Sequence, residues 1–141
     1  MNTVKLAKPV EKMETIHQIE ELYGIQFPLD ISNFLKKNSR GIPNKKEFLI
    51  YNKKYFLAGF VSVSSIDRVN ILKLTNQLNA EIKEKLYIPF AMDGVGNFYC
   101  VEYITKKFKR IVFWNTEIDV IYNVCDSFSD LLKAMNIKER D

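Results

Sequence analysis

The stretch IPFAMDGVGNFYC, residues 88–100, reads as strand, tight turn and returning strand. Its first half is apolar and its second half aromatic. Between them, Asp93-Gly94-Val95-Gly96-Asn97 supplies what a turn needs. The glycines tolerate positive φ, and Asp and Asn side chains can bond neighbouring backbone groups. The same loop lacks the Lys-Ser/Thr pair of a phosphate loop and is followed by strand, so no helix N-terminus faces an anion there.

Outward from this hairpin the pattern is β on both sides. The spacing predicts strands over 86–92, 98–104, 111–115 and 119–125, with KKFKR (106–110) as a turn. Upstream, EFLIY (47–51) and YFLAGFVSV (55–63) read as two strands joined by Asn52-Lys53-Lys54. Helical periodicity marks three segments before and between them. Residues 11–23 carry Met13, Ile16, Ile19, Leu22 and Tyr23 on one stripe, stopped by Gly24. A second helix begins at Pro28, buries Ile31, Phe34 and Leu35, and ends before Gly41. A third is expected over 66–79 on Ile66, Val69, Leu72 and Leu78, with Ser64, Ser65 or Asp67 near its start. A last helix is capped by Ser127 in the S-x-x-D spacing and buries Phe128, Leu131, Leu132 and Met135. Helices and strands are segregated, which predicts an α+β single domain over 1–141, core about 11–136. Its sheet should be twisted and largely antiparallel, backed by the N-terminal helices and the C-terminal helix.

At 141 residues and 47% hydrophobic, the chain can bury an ordinary core. No apolar window approaches the ~20 residues of a membrane span. The N-terminal residues lack an apolar h-region, so no signal peptide and a cytoplasmic location are expected. Cys100 and Cys125 have no partner at metal-ligand spacing and read as reduced, buried thiols. The lone histidine, His17, sits in the first helix with no nucleophile in a recognisable setting near it. Asp93, Glu102 and Glu117 could meet as a carboxylate pair only through tertiary folding. No cofactor or metal is implied, and the expectation is a protein that is not an enzyme.

Net charge is +4 with a pI near 9.0. The basic excess is local. Lys36, Lys37, Arg40, Lys45, Lys46, Lys53 and Lys54 face only Glu47 over 36–54, and a second cluster spans 106–110. Either patch could attract phosphate, but no nucleic-acid-binding signature accompanies them.

Four separated motifs, YGIQFPLDISNFLKKNSRG (23–41), IPFAMDGVGNFYCVEY (88–103), IVFWN (111–115) and DSFSDLLKAM (126–135), together resemble the SUKH superfamily. That group includes fungal cell-wall-synthesis regulators and bacterial immunity proteins of polymorphic toxin systems. The resemblance places Pro28, Phe34, Leu35, Pro89, Phe90, Ala91, Asp93, Gly94, Gly96, Asn97, Tyr99 and Trp114 at motif positions. It implies structural roles for them: helix start, core strand, tight turn and core indole. It also implies a non-catalytic chain that binds and neutralises a cognate protein toxin, with nucleases among the targets. The alternatives are a regulatory scaffolding module outside toxin systems, or weak nucleic-acid binding through the basic patches. Asn38-Ser39-Arg40-Gly41 departs from the usual Asn-Gly-Gly, and the basic charge departs from the acidic immunity proteins that meet basic nucleases. The resemblance implies most variation outside the motifs, as in 42–56 and 104–110, which makes Lys45, Lys46, Lys53, Lys54, Lys106 and Lys107 candidate partner-binding residues; the concave sheet face is the other candidate surface.

Overall fold

The computed structural model describes residues 1–80 and 84–138. In chain order the elements are β1 (Val4–Lys5), α1 (Glu14–Tyr23), α2 (Leu29–Asn38), β2 (Ile42–Pro43), β3 (Glu47–Ile50), β4 (Lys53–Phe56) and β5 (Gly59–Phe60). They continue with α3 (Ile71–Leu78), β6 (Lys85–Met92), β7 (Phe98–Ile104), β8 (Lys107–Asn115), β9 (Val120–Cys125) and α4 (Phe128–Met135). The architecture is α+β. A five-stranded antiparallel sheet runs in the order β5-β6-β7-β8-β9, and β3-β4 and β1-β2 form separate two-stranded ribbons.

Alternation gives the main sheet two different faces. Ile88, Val101, Tyr103 and Ile111 point into the core beneath the helices, where the Tyr103 hydroxyl donates to the Gln26 carbonyl at 2.9 Å. The register skips Phe90 between Pro89 and Ala91. Proline gives up no ladder donor at such an irregularity, and the extra residue is free to turn inward. Phe90 does so, meeting Phe128 edge-on at 5.7 Å, and Phe128 in turn meets Phe34 of α2 at 5.2 Å. These three rings tie the motif strand to both flanking helices. On the opposite face, Cys100 and Val112 are buried without joining that core. Tyr87 and Trp114 pack edge-on there, with ring centroids 5.4 Å apart.

The helix ends follow local chemistry. Gly24 adopts φ 65° and its N–H returns to the Glu20 carbonyl. Pro28, at φ −59°, precedes Leu29 and leads the chain into α2. The Ser127 hydroxyl accepts from Asp130 N–H at 3.1 Å. In α1, Thr15, Ile16 and Ile19 form the buried face, while Leu22, placed on the stripe by spacing, faces solvent.

Four expectations are corrected. The third helix begins at Ile71, not 66: Asn70 caps it by accepting from Lys73 N–H. Ser62 holds Asp67 in the preceding turn, leaving Ile66 and Val69 exposed. The run 55–63 is not one strand. β4 stops at Phe56, and after Leu57-Ala58 the chain crosses to the main sheet as β5. Lys53 and Lys54 belong to β4, because the turn is Tyr51-Asn52 with both φ positive (50° and 64°). Likewise KKFKR is mostly strand, since β8 starts at Lys107 and the turn is Thr105-Lys106, φ 49° and 65°.

The chain before residue 11 also contributes. Asn2 is buried, and its side-chain amide donates to the Lys45 and Met135 carbonyls and accepts from Lys45 N–H. Val4 and Val10 pack, partly buried, against a core that runs from Ile16 to Ile137.

Candidate functional site

The Asp93 carboxylate organises the turn that opens the site. One oxygen accepts from Val95 N–H (2.9 Å) and Asn97 N–H (3.0 Å), and the other from the Asn97 amide (2.8 Å). Gly94 and Gly96 take φ 91° and 99°, which L residues rarely adopt. Thr116 laces this loop to the β8–β9 loop, donating from N–H to Asn97 Oδ1 and from its hydroxyl to the Gly96 carbonyl. Both Asp93 carboxylate oxygens are thus directed at its own loop.

Beside this loop a groove of about 620 Å³ runs between the β3–β4 ribbon and the main sheet. Its floor is the cross-strand row Tyr99, Phe113 and Tyr122, paired directly in register. Its wall is Lys53, Lys54, Tyr55 and Phe56 of β4, and Asp93 and Val95 close one end. Aromatic packing builds it. Phe48 stacks on Tyr55 at 5.5 Å, Tyr55 meets Tyr99 at 6.4 Å, and Tyr99 meets Phe113 at 4.9 Å. The Tyr99 hydroxyl donates to the Phe56 carbonyl at 2.8 Å and pins wall to floor. Burial pushes the Tyr99 phenol up, with Asp93 adding to the shift, so it stays a neutral donor at physiological pH. Phe56 and Tyr122 nevertheless remain 45% and 38% exposed at the groove. The Lys53 ammonium lies 4.7 Å over the Tyr122 ring and 5.6 Å from the Tyr55 ring.

Of the residues anticipated from sequence, Lys53, Lys54, Asp93 and Tyr99 converge on this groove. Gly94, Gly96 and Asn97 shape its end; Pro89, Phe90, Ala91, Pro28 and Phe34 lie in the scaffold behind it. Lys106 and Lys107 do not join them. They sit at the far end of β7–β8, where Lys106 crosses Gly24; Lys107 pairs with Ile104, about 17 Å along the sheet from Tyr99 at strand spacing. Lys45 and Lys46 precede β3, where Lys45's backbone is held by Asn2. Trp114 is not a core indole. It is half-buried on the helix-free face and donates from Nε1 to Asp119 at 3.0 Å. Phe56, Phe113 and Tyr122 were missed. Their alternation was readable, but the pairing that lines up 99, 113 and 122 was not.

The three carboxylates weighed for acid–base work do not meet. Glu102 is buried beside Arg110 at 3.4 Å and accepts from Tyr87, whereas Glu117 is exposed in the β8–β9 loop and Asp93 is engaged in its turn. Burial pushes both thiols up, Cys125 to about 12, away from thiolate reactivity. His17 is exposed on α1. Among the described residues no group of His, Cys, Asp and Glu has metal-binding geometry, and no helix is long and apolar enough to cross a membrane.

The molecule is thus an α+β domain with helices on one face of its main sheet and an aromatic groove beside the β3–β4 ribbon. Residues 12–134 match the model of the SMI1 / KNR4 family (SUKH-1), and the chain belongs to that family. Comparison with curated proteins and with solved structures returned no match.

Proposed function

We infer that this chain is a non-catalytic protein-binding domain that acts as an immunity protein, neutralising a cognate polymorphic toxin by stoichiometric binding. Family membership supports a protein-binding role. The observation that carries the reading is the groove floored by Tyr99, Phe113 and Tyr122, where a buried Tyr99 backs the exposed rings of Tyr122 and Phe56. Aromatic side chains held rigidly at a surface are the usual anchors of protein interfaces. Lys53 at the rim suits an acidic partner patch, which agrees with the net charge of +4. In the cell such an inhibitor works beside the toxin it blocks, in the cytoplasm.

Co-expression tests this. A toxin domain encoded beside the gene should kill cells alone and be tolerated when this chain is present, with both recovered in one complex. Recovery of a housekeeping assembly in place of a toxin would establish the regulatory reading, and recovery of no protein partner would overturn both.

A further inference from the structure

The main sheet has two edges and each strand of the β3–β4 ribbon adds one; β5, β4 and β9 are not treated alike. Edge strand β5 has two residues, and Phe60 N–H is occupied by the Gly41 carbonyl. β4 carries Lys53 and Lys54, the charged guards that natural edges commonly use. β9 has neither protection. It runs six residues, Val-Ile-Tyr-Asn-Val-Cys, without Lys, Arg or Pro, and pairs only with β8. Among the described residues no hydrogen bond joins the outward backbone of Val120–Asn123 to another element. The register skip facing Val124 confines the regular stretch to those four residues.

This unguarded edge borders the groove. Tyr122 belongs to both: it is the third residue of β9 and the outermost ring of the groove floor. A strand added to β9 would place alternate side chains ~5 Å from Tyr122, on the groove side of the sheet. Charge then narrows the choice of occupant. Lys54 is paired with Glu47 at 3.3 Å, and Asp93 is committed to Val95 and Asn97. Lys53 rests on two rings with no carboxylate beside it among the described residues.

We propose that the partner docks by strand addition. An extended segment of it pairs with Val120–Asn123 as a sixth strand, seats an apolar side chain in the groove, and sets a neighbouring Asp or Glu on Lys53. Backbone bonds would supply affinity and the groove with Lys53 would supply selectivity. This rests on the protein-binding reading above and specifies its mode.

The test uses a displayed library of random dodecapeptides selected against the whole folded chain. Enriched peptides should carry an aromatic or leucine side chain with an acidic residue near it, and should slow amide exchange at the outward N–H groups of β9. K53E should weaken them by at least about tenfold, since it turns an attraction into a repulsion. Proline at Val120 and, separately, at Ile121, neither of which lines the groove, gives a second readout. Outward and inward N–H groups alternate, so one variant should keep its thermal stability and lose binding, while the other unfolds more easily. An unenriched library, binders indifferent to K53E, or binders that leave β9 amides unprotected would each overturn the proposal. A chain that neutralises a toxin yet fails these tests keeps the immunity reading and loses this docking mode.

Discussion

The Tyr99 hydroxyl donates to the Phe56 carbonyl at 2.8 Å, joining the central strand of the main sheet to a ribbon that belongs to another sheet. Tyr99→Phe keeps the ring contacts with Phe48, Tyr55 and Phe113 but orphans that carbonyl. The loss should be about 1–2 kcal/mol in denaturant unfolding. Faster amide exchange should be confined mainly to β3–β4, and an unchanged ribbon would show that the aromatic stack alone holds it.

The two loop glycines should differ in their tolerance of alanine. A Cβ at Gly94 would lie 3.1 Å from the Ala58 Cβ as well as sitting at φ 91°, whereas one at Gly96 meets nothing within 4 Å and has only its φ of 99° to contend with. Gly96→Ala should cost on the order of 1–2 kcal/mol, and Gly94→Ala more. Equal losses in thermal melts would contradict the close approach of Ala58.

Both two-residue turns carry side chains where glycine or asparagine is at ease. Thr105 is β-branched at φ 49°, followed by Lys106 at 65°. Replacing the pair by Asn-Gly should stabilise the protein by about 1 kcal/mol, read as a higher denaturant midpoint with unchanged slope.

These turns also show why the strand ends were less legible than the helix ends. Gly24 and Ser127 announce themselves because a helix stop and a cap are local chemistry. Tyr51-Asn52 and Thr105-Lys106 contain no glycine, so the lysines next to them looked like the turns. The unbroken apolar run 55–63 concealed the crossing from one sheet to the other at Leu57-Ala58. For the site, Asp93 and Tyr99 stood out within one hairpin. Phe113 and Tyr122 became neighbours only through a register that skips beside Val112, which no single strand encodes.

On the helix-free face, Arg110 Nε lies 3.4 Å from the buried Glu102 carboxylate, an ion pair without a well-aligned hydrogen bond. Arg110→Ala would strand that carboxylate and should cost on the order of 2–4 kcal/mol. The double variant Glu102→Gln, Arg110→Met should recover part of it. A double variant no better than R110A in urea unfolding would mean that Arg110 acts by packing its stem.

The thiols set an alkaline limit. Desolvation raises Cys125 from its ordinary value of 9.0 to about 12, and raises Cys100 as well. In the unfolded chain both lose protons more readily, so their contribution to stability is complete below pH 9. It is lost as pH rises from there through the folded value. Unfolding free energy should therefore fall above pH 9, less steeply in Cys125→Ala. A thiol reagent at pH 8 should label neither cysteine until denaturant is added.

The β3–β4 ribbon is not woven into the main sheet. It shares no ladder bonds with it and meets it through rings and the Tyr99 hydroxyl. The groove is thus a vice with a fixed anvil and a separately mounted jaw. Exchange of residues 47–56 for another ribbon that keeps Phe48, Tyr55 and the carbonyl at 56 would change the jaw while leaving the anvil's register intact. Such a fold can acquire a new partner by replacing one short segment, with no strand of its main sheet redesigned.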